Sequence, residues 1–154
     1  MQNLKYVKDK LLKLLSEEKT VLFVGVGNRI KSDDAIGVYI CKKIIPTNFK
    51  KVLIVESGIE KFVGKINTIA PDILALIDCT DFNKEPGYWN LVPIEKILDH
   101  TMHTHTISIK RISEFFEMPA YILGVQPKNV KFGEVFSEEV LDSANNLIQL
   151  INKI

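Results

Sequence analysis

The stretch Thr20 to Ile45, TVLFVGVGNRIKSDDAIGVYICKKII, limits the fold more than any other part of the chain. It opens as an apolar, β-rich run at Val21 to Val24 and breaks at Gly25-Val26-Gly27-Asn28. A polar loop follows, carrying two adjacent carboxylates, Asp33 and Asp34. Beyond them the apolar period lengthens to that of a helix. Ile36, Ile40 and Ile44 form one stripe, with Gly37, Cys41 and Ile45 beside it. The pattern predicts a strand, a glycine turn, an acidic helix start and a helix. Gly25 and Gly27 supply the freedom for a sharp turn at the end of a buried strand. Ser32 or Asp33 is the expected N-cap. Asp34 then lies in the first helical turn, where exposed N–H groups favour an anion. Gly37, beside the stripe, lets the helix approach the sheet closely. Asp34 reads either as an ionised group at the mouth of a strand or as an acid that merely starts a helix.

The same alternation of period runs through the rest of the chain. Leu4 to Ser16 is an amphipathic helix on Leu4, Val7, Leu11, Leu12 and Leu15. A second strand is expected at Lys51 to Glu56, ended by Ser57-Gly58. A helix follows from Ile59 to Ile69, with Phe62, Val63 and Ile66 inward and Pro71 as its stop. Ile73 to Asp78 (ILALID) is a continuous apolar run of the buried parallel type. After a turn at Lys84 to Gly87, Tyr88 to Val92 reads as a short strand and Pro93 to Leu98 as a helical turn. A segment rich in His and Thr, His100 to Thr106, leads to a helix over Ile107 to Glu117. A strand over Ala120 to Val125 and a closing helix over Ser137 to Ile151 complete the chain.

Strands alternating with helices predict an α/β fold, a three-layer α/β/α sandwich on a mostly parallel, five-stranded sheet. The Tyr88 strand is the candidate for antiparallel pairing, because only a short turn separates it from its predecessor. With 154 residues, 46% of them hydrophobic, the whole of 1–154 reads as one domain with a full core. A formal net charge of +1 and scattered basic residues give no field to draw the chain to nucleic acid or membrane. Cys41 and Cys79 lack metal-finger spacing and read as reduced core thiols. The N-terminus has no long apolar core of a signal peptide, and no stretch could span a bilayer, so a soluble, cytoplasmic protein is expected.

In sheets of this kind ligands bind at the carboxyl ends of the strands. Asp34 begins the helix after the first strand, and Asp78 ends the third. His105 stands just before the helix that precedes a parallel strand, so that helix N-terminus belongs to the same edge. Two carboxylates and an imidazole form an O,O,N ligand set for a divalent metal with positions left open. They serve equally well as acid/base groups. Asp78 also reads as a solvated strand end. His100 and His103 are alternatives to His105, and the H-x-x-H-x-H cluster could bind a metal by itself.

These residues resemble a known family. GVGNRIKSDDAIG is similar to the G-x-G-N-x-x-x-x-D-[DE]-x-x-G signature of the [NiFe]-hydrogenase maturation endopeptidases. The likeness continues in LIDCTDFNKEPGYWNLVPIEKI, in THTISI and in LGVQPKNVKFGEVFSEEV, the last most similar to the hydrogenase-3 (formate hydrogenlyase) branch. The resemblance implies an α/β/α endopeptidase that removes a C-terminal extension from a hydrogenase large-subunit precursor after nickel insertion. It implies that Asp34, Asp78 and His105 contact the metal. The nickel comes with the substrate, though another divalent metal could occupy the site. A monomer is expected, with the nickel-loaded precursor as partner. His105 is preferred to His103 because Thr104 precedes it and Ile109 and Ile112 follow at the family's apolar offsets. Ala35 stands where the family often has Gly, and Glu56-Ser57-Gly58 where it usually has Asp-x-Gly. There is no G-x-S-x-G elbow and no H-E-x-x-H.

Two other functions are compatible with parts of this pattern. A non-catalytic chaperone that checks nickel in the precursor would keep the same residues. A dinucleotide-binding module is suggested by Gly25-Val26-Gly27 and Glu56, but Ile30 stands where the third glycine belongs.

Overall fold

The computed structural model describes residues 2–97 and 109–154. Its helices are α1 (Gln2–Ser16), α2 (Ile36–Lys43), α3 (Val63–Ile69), α4 (Ile109–Ile112) and α5 (Glu138–Asn152). Its strands are β1 (Val21–Val26), β2 (Lys50–Glu56), β3 (Ile73–Cys79), β4 (Trp89–Pro93) and β5 (Ala120–Val125). The strands form one sheet in the order β2-β1-β3-β5-β4. The first four in that order are parallel, and β4 is antiparallel to β5.

Period-2 alternation divides β1 and β3 between two cores. Val21, Phe23, Ile73, Ala75 and Ile77 pack with the apolar stripes of α1, α2 and α5. Leu22, Val24, Leu74 and Leu76 pack on the other face with Ile59, Ile66, Ile109 and Ile112. Both faces of the sheet are therefore covered, which is why β1 is apolar throughout and β3 is apolar from Ile73 to Ile77. No helix among the described residues is long and apolar enough to cross a membrane.

Several expectations change at the level of the single element. Ser32 and Asp33 are not N-caps: Ser32–Ala35 is a short 3-10 turn, and α2 starts behind it at Ile36 with Ala35 at its N-cap. Gly25 does not turn; β1 runs through it to Val26, and the small residue makes room for Cys41 and the Gly37 carbonyl. Ile45 lies past the end of α2 and is exposed. The helix expected over Ile59 to Ile69 begins as a 3-10 turn, Ile59–Phe62. The helix expected over Ile107 to Glu117 is, among the described residues, only α4 and a 3-10 turn at Ser113–Phe115. The strand after the Lys84 to Gly87 turn is antiparallel as expected, yet its partner is β5, not its predecessor β3.

Gly37 fixes how tightly α2 meets the sheet. A Cβ there would collide with the backbone carbonyls of Ile77 and Val26. The first turn of α2 thus rests directly on the ends of β1 and β3. Gly37→Ala must lift the helix from both strands, and we expect a loss of about 1–3 kcal/mol, the usual cost of overpacking. Urea unfolding of the variant checks it.

At the other end of the sheet, β4 is an edge strand. The side chain of Lys10 in α1 reaches across it and donates from Nζ to the Leu91 carbonyl at 2.7 Å.

Candidate functional site

The sheet order reverses between β1 and β3, since the connection from β1 leads to β2 on one side and the connection from β2 to β3 on the other. In sheets of this kind ligands bind in the crevice outside the carboxyl ends of the strands at such a switch point. Asp34 stands over it, in the turn between β1 and α2, and is buried. Its Oδ2 accepts a hydrogen bond from the Asn28 backbone N–H at 3.0 Å. Gly27, with φ +152°, leaves no space for a Cβ beside the Asp34 carbonyl, so the glycine turn and the acid are fitted to each other.

Asp78 is the penultimate residue of β3, paired in register with Gly124 of β5. It is buried too, and so is no solvated strand end. Its Oδ1 accepts from the Cys79 N–H at 2.7 Å. Because α2 rests on Ile77 through Gly37, the turn that carries Asp34 lies over the end of β3. The Cys79 thiol senses the result: its pKa is pushed up first by burial, then by the carboxylates of Asp78, Asp34, Asp33 and Asp81. Asp34 and Asp78 therefore share one buried, acidic end of the sheet. His105, and with it His100 and His103, lies outside the described residues.

The two cysteines are free and buried. Burial pushes both thiols up, so neither is a nucleophile near neutrality. We expect no labelling of either by iodoacetamide in the native protein at pH 8, and full labelling in urea. A thiol that keeps its proton when folded and loses it near pH 8.5 when unfolded contributes stability at lower pH only. Stability should thus fall as the pH rises above about 8.5.

Asp33, next to Asp34 in sequence, does something different. It is fully buried and accepts four hydrogen bonds from the chain beyond β5. Oδ2 takes the Lys128 and Asn129 N–H groups, each at 2.9 Å, and the Ser137 hydroxyl at 2.7 Å. Oδ1 takes the Ser137 N–H at 2.7 Å. Ser137 is the N-cap of α5, but its hydroxyl is given to Asp33 and not to its own helix. Gln126 plays the matching part for the loop after Asp78. Its Oε1 accepts from the Phe82 N–H at 2.6 Å, and its Nε2 donates to Asp81 at 3.2 Å. Sequence reasoning missed both supports. A polar side chain directly after the apolar run AYILGV was the available hint for Gln126.

Glu56 ends β2 in the left-handed region, φ +64°, and its carbonyl accepts from the Gly27 N–H at 2.6 Å. Its carboxylate pairs with Arg29 at 2.8 Å on the rim of the crevice. Half exposed as both partners are, this pair adds little stability.

Buried carboxylates at the switch point of a mostly parallel sheet covered on both faces define an α/β domain with an acidic candidate site. The chain belongs to the hydrogenase maturation protease family, whose model matches residues 38–154, and it is accordingly a peptidase. The matched segment contains Asp78 but not Asp34. A Methanocaldococcus jannaschii protein named among the hydrogenase maturation proteases is 30% identical over 96% of this chain and 95% of its own length. The [NiFe] hydrogenase maturation protease HycI of Thermococcus kodakarensis has the same fold, with a TM-score of 0.79 at 26% identity. That alignment covers 93% of this chain and 97% of the other. The endopeptidase HycI of Escherichia coli superposes with a TM-score of 0.76 at 23% identity, over 87% and 90% of the two chains. A dinucleotide-binding module is thereby set aside.

Proposed function

We propose that this chain is the endopeptidase that removes the C-terminal extension of a [NiFe]-hydrogenase large-subunit precursor, of the hydrogenase-3 type, once nickel is in place. What supports the reading is that Asp34, in the turn after β1, and Asp78, at the end of β3, are both buried on the carboxyl side of neighbouring strands. Two carboxylates at one end of a sheet are the hard oxygen donors that a divalent cation takes. Carboxylate oxygens suit a divalent ion, and an imidazole from His105 would complete an O,O,N set with positions left for the substrate. Nickel is part of the substrate in this reading. Held by Asp34, Asp78 and His105, it acts as a Lewis acid on the scissile carbonyl or on water. Hydrolysis adds the water oxygen to that carbonyl carbon, breaks the C–N bond and delivers a proton to the departing amine. In this reading the carboxylates and the imidazole also carry that proton.

The test is a purified assay with two forms of one precursor. Nickel-loaded precursor should be cut and nickel-free precursor should stay intact however much enzyme is added. Cutting of both would overturn the role of substrate nickel. Tight binding of the loaded form without cleavage would make the chain the nickel-checking chaperone instead. His105→Ala should abolish cleavage and His103→Ala should keep most of it. Equal loss in the two would assign the wrong histidine.

A further inference from the structure

The rim of the crevice beside Asp34 is built from two loops, 27–31 after β1 and 126–137 after β5. They are bonded to each other. The Gly133 N–H donates to the Ile30 carbonyl and the Ser32 N–H to the Gly133 carbonyl, both at 2.8 Å. Lys31 and Gly133 form a parallel β-bridge, and the Ser32 hydroxyl donates to the Lys131 carbonyl at 2.8 Å. Beneath them Asp33 ties down residues 128, 129 and 137. Loops fixed this firmly have little order left to lose on binding.

What they present is apolar. Ile30 is 51%, Phe132 78% and Val135 80% exposed. A single exposed apolar side chain is ordinary, and Tyr6, Phe49 and Phe115 are such cases elsewhere on the surface. Three on two mutually bonded loops are not ordinary, and one of them, Ile30, is two residues from Asn28, whose N–H holds Asp34. The charge beside them is specific as well. The Lys31 ammonium lies 5.7 Å from the centre of the Phe132 ring, and Lys131 is the next residue on the loop. Of the neighbouring charges, Arg29 is engaged by Glu56, and Glu134 is the acid on the same loop.

We propose that this rim is the docking surface for the substrate polypeptide, seating an apolar segment of the precursor that carries a carboxylate beside it. The apolar side chain packs on Phe132 and Val135 while Lys31 and Lys131 meet the acid. Because the loops are fixed before binding, association is spared most of the ordering cost that a mobile loop would incur. Continuity with Asp34 places the docked segment next to the reacting bond. This inference rests on the protease reading given above.

The experiment is steady-state cleavage of purified nickel-loaded large-subunit precursor by wild type and by the double variant Phe132→Ser, Val135→Ser. Both side chains are on the surface, so the fold should not depend on them. The expected result is an apparent KM raised about tenfold or more, with kcat within about twofold and an unchanged Tm. Lys131→Glu should raise KM as well, and less so at high salt. Phe115→Ser, an exposed aromatic preceding β5 at the opposite edge of the sheet, should change neither constant. An unchanged KM in the double variant, with wild type active, overturns the docking surface and leaves the protease reading standing. A wild type that cannot cut loaded precursor overturns both. Cosedimentation of wild type with phosphatidylglycerol vesicles, lost in the double variant while KM is unchanged, would assign the patch to a lipid surface and overturn the proposal.

Discussion

Asp78→Asn is expected to end processing of the nickel-loaded precursor, with a rate loss of about a hundredfold or more, while the folded protein becomes no less stable. The two halves of this result have separate causes. Asparagine keeps an oxygen that can accept the 2.7 Å bond from the Cys79 N–H, so the strand end keeps its local geometry. It removes one negative charge from the carboxylates around the Cys79 thiol, of which Asp33, Asp34 and Asp78 are buried. The near-isosteric side chain also leaves the packing at the end of β3 as it is, which is why the fold should hold. The charge it removes is the one proposed to face the cation, so chemistry suffers where stability does not. Asp34→Asn should follow the same pattern, since its amide oxygen can still accept from Asn28. A thermal melt beside the cleavage assay decides the matter. Full activity in Asp78→Asn would refute the proposed site, and a collapse in Tm would show Asp78 to be structural.

The largest stability effect is expected at the neighbouring acid. Asp33→Ala takes the one buried acceptor away from the N–H groups of Lys128, Asn129 and Ser137 and from the Ser137 hydroxyl, all in part-buried bonds. Charge-assisted bonds contribute about 1.5–3 kcal/mol each, and losses within one network do not add. A total of about 4 kcal/mol, or a Tm lower by roughly 10 °C, is a reasonable expectation. Ser137→Ala removes only the hydroxyl and should cost about 1 kcal/mol. Equal effects in the two variants would mean that the carboxylate is not the hub of the clamp. Hydrogen exchange should separate them further, with faster exchange at Lys128 and Asn129 in Asp33→Ala only.

Asp33 and Asp34 show how far the sequence could be read. The pair was visible as the acidic mark between strand and helix, and its strand-end location followed from the period change. Which acid had which role was not visible. Adjacent residues in a tight turn point in different directions, and the partners of Asp33 lie some 95 to 104 residues away. The sheet was legible because its central strands β1 and β3 are buried on both faces and carry apolar runs of five or six residues. The pairing of β4 was not, because the partner that settles it, β5, comes later in the chain. Helix length was overestimated at Ile59, where the apolar period runs through a 3-10 turn that buries Ile59, and at the far end of α4, where Ser113–Phe115 is a 3-10 turn.

The reach of Lys10 to the Leu91 carbonyl has a bearing on the life of the protein in a crowded solution. The outer side of β4 is a row of backbone groups that any passing extended chain could pair with. Helix α1 lies over that side with Val7, Leu11 and Leu15 in the core, and the lysine occupies one of its carbonyls. A helix cannot be mistaken for the next strand of a growing sheet. Folding α1 into place therefore quenches a self-association hazard as well as adding apolar burial. A chain lacking α1 would be expected to precipitate before it could be seen to unfold.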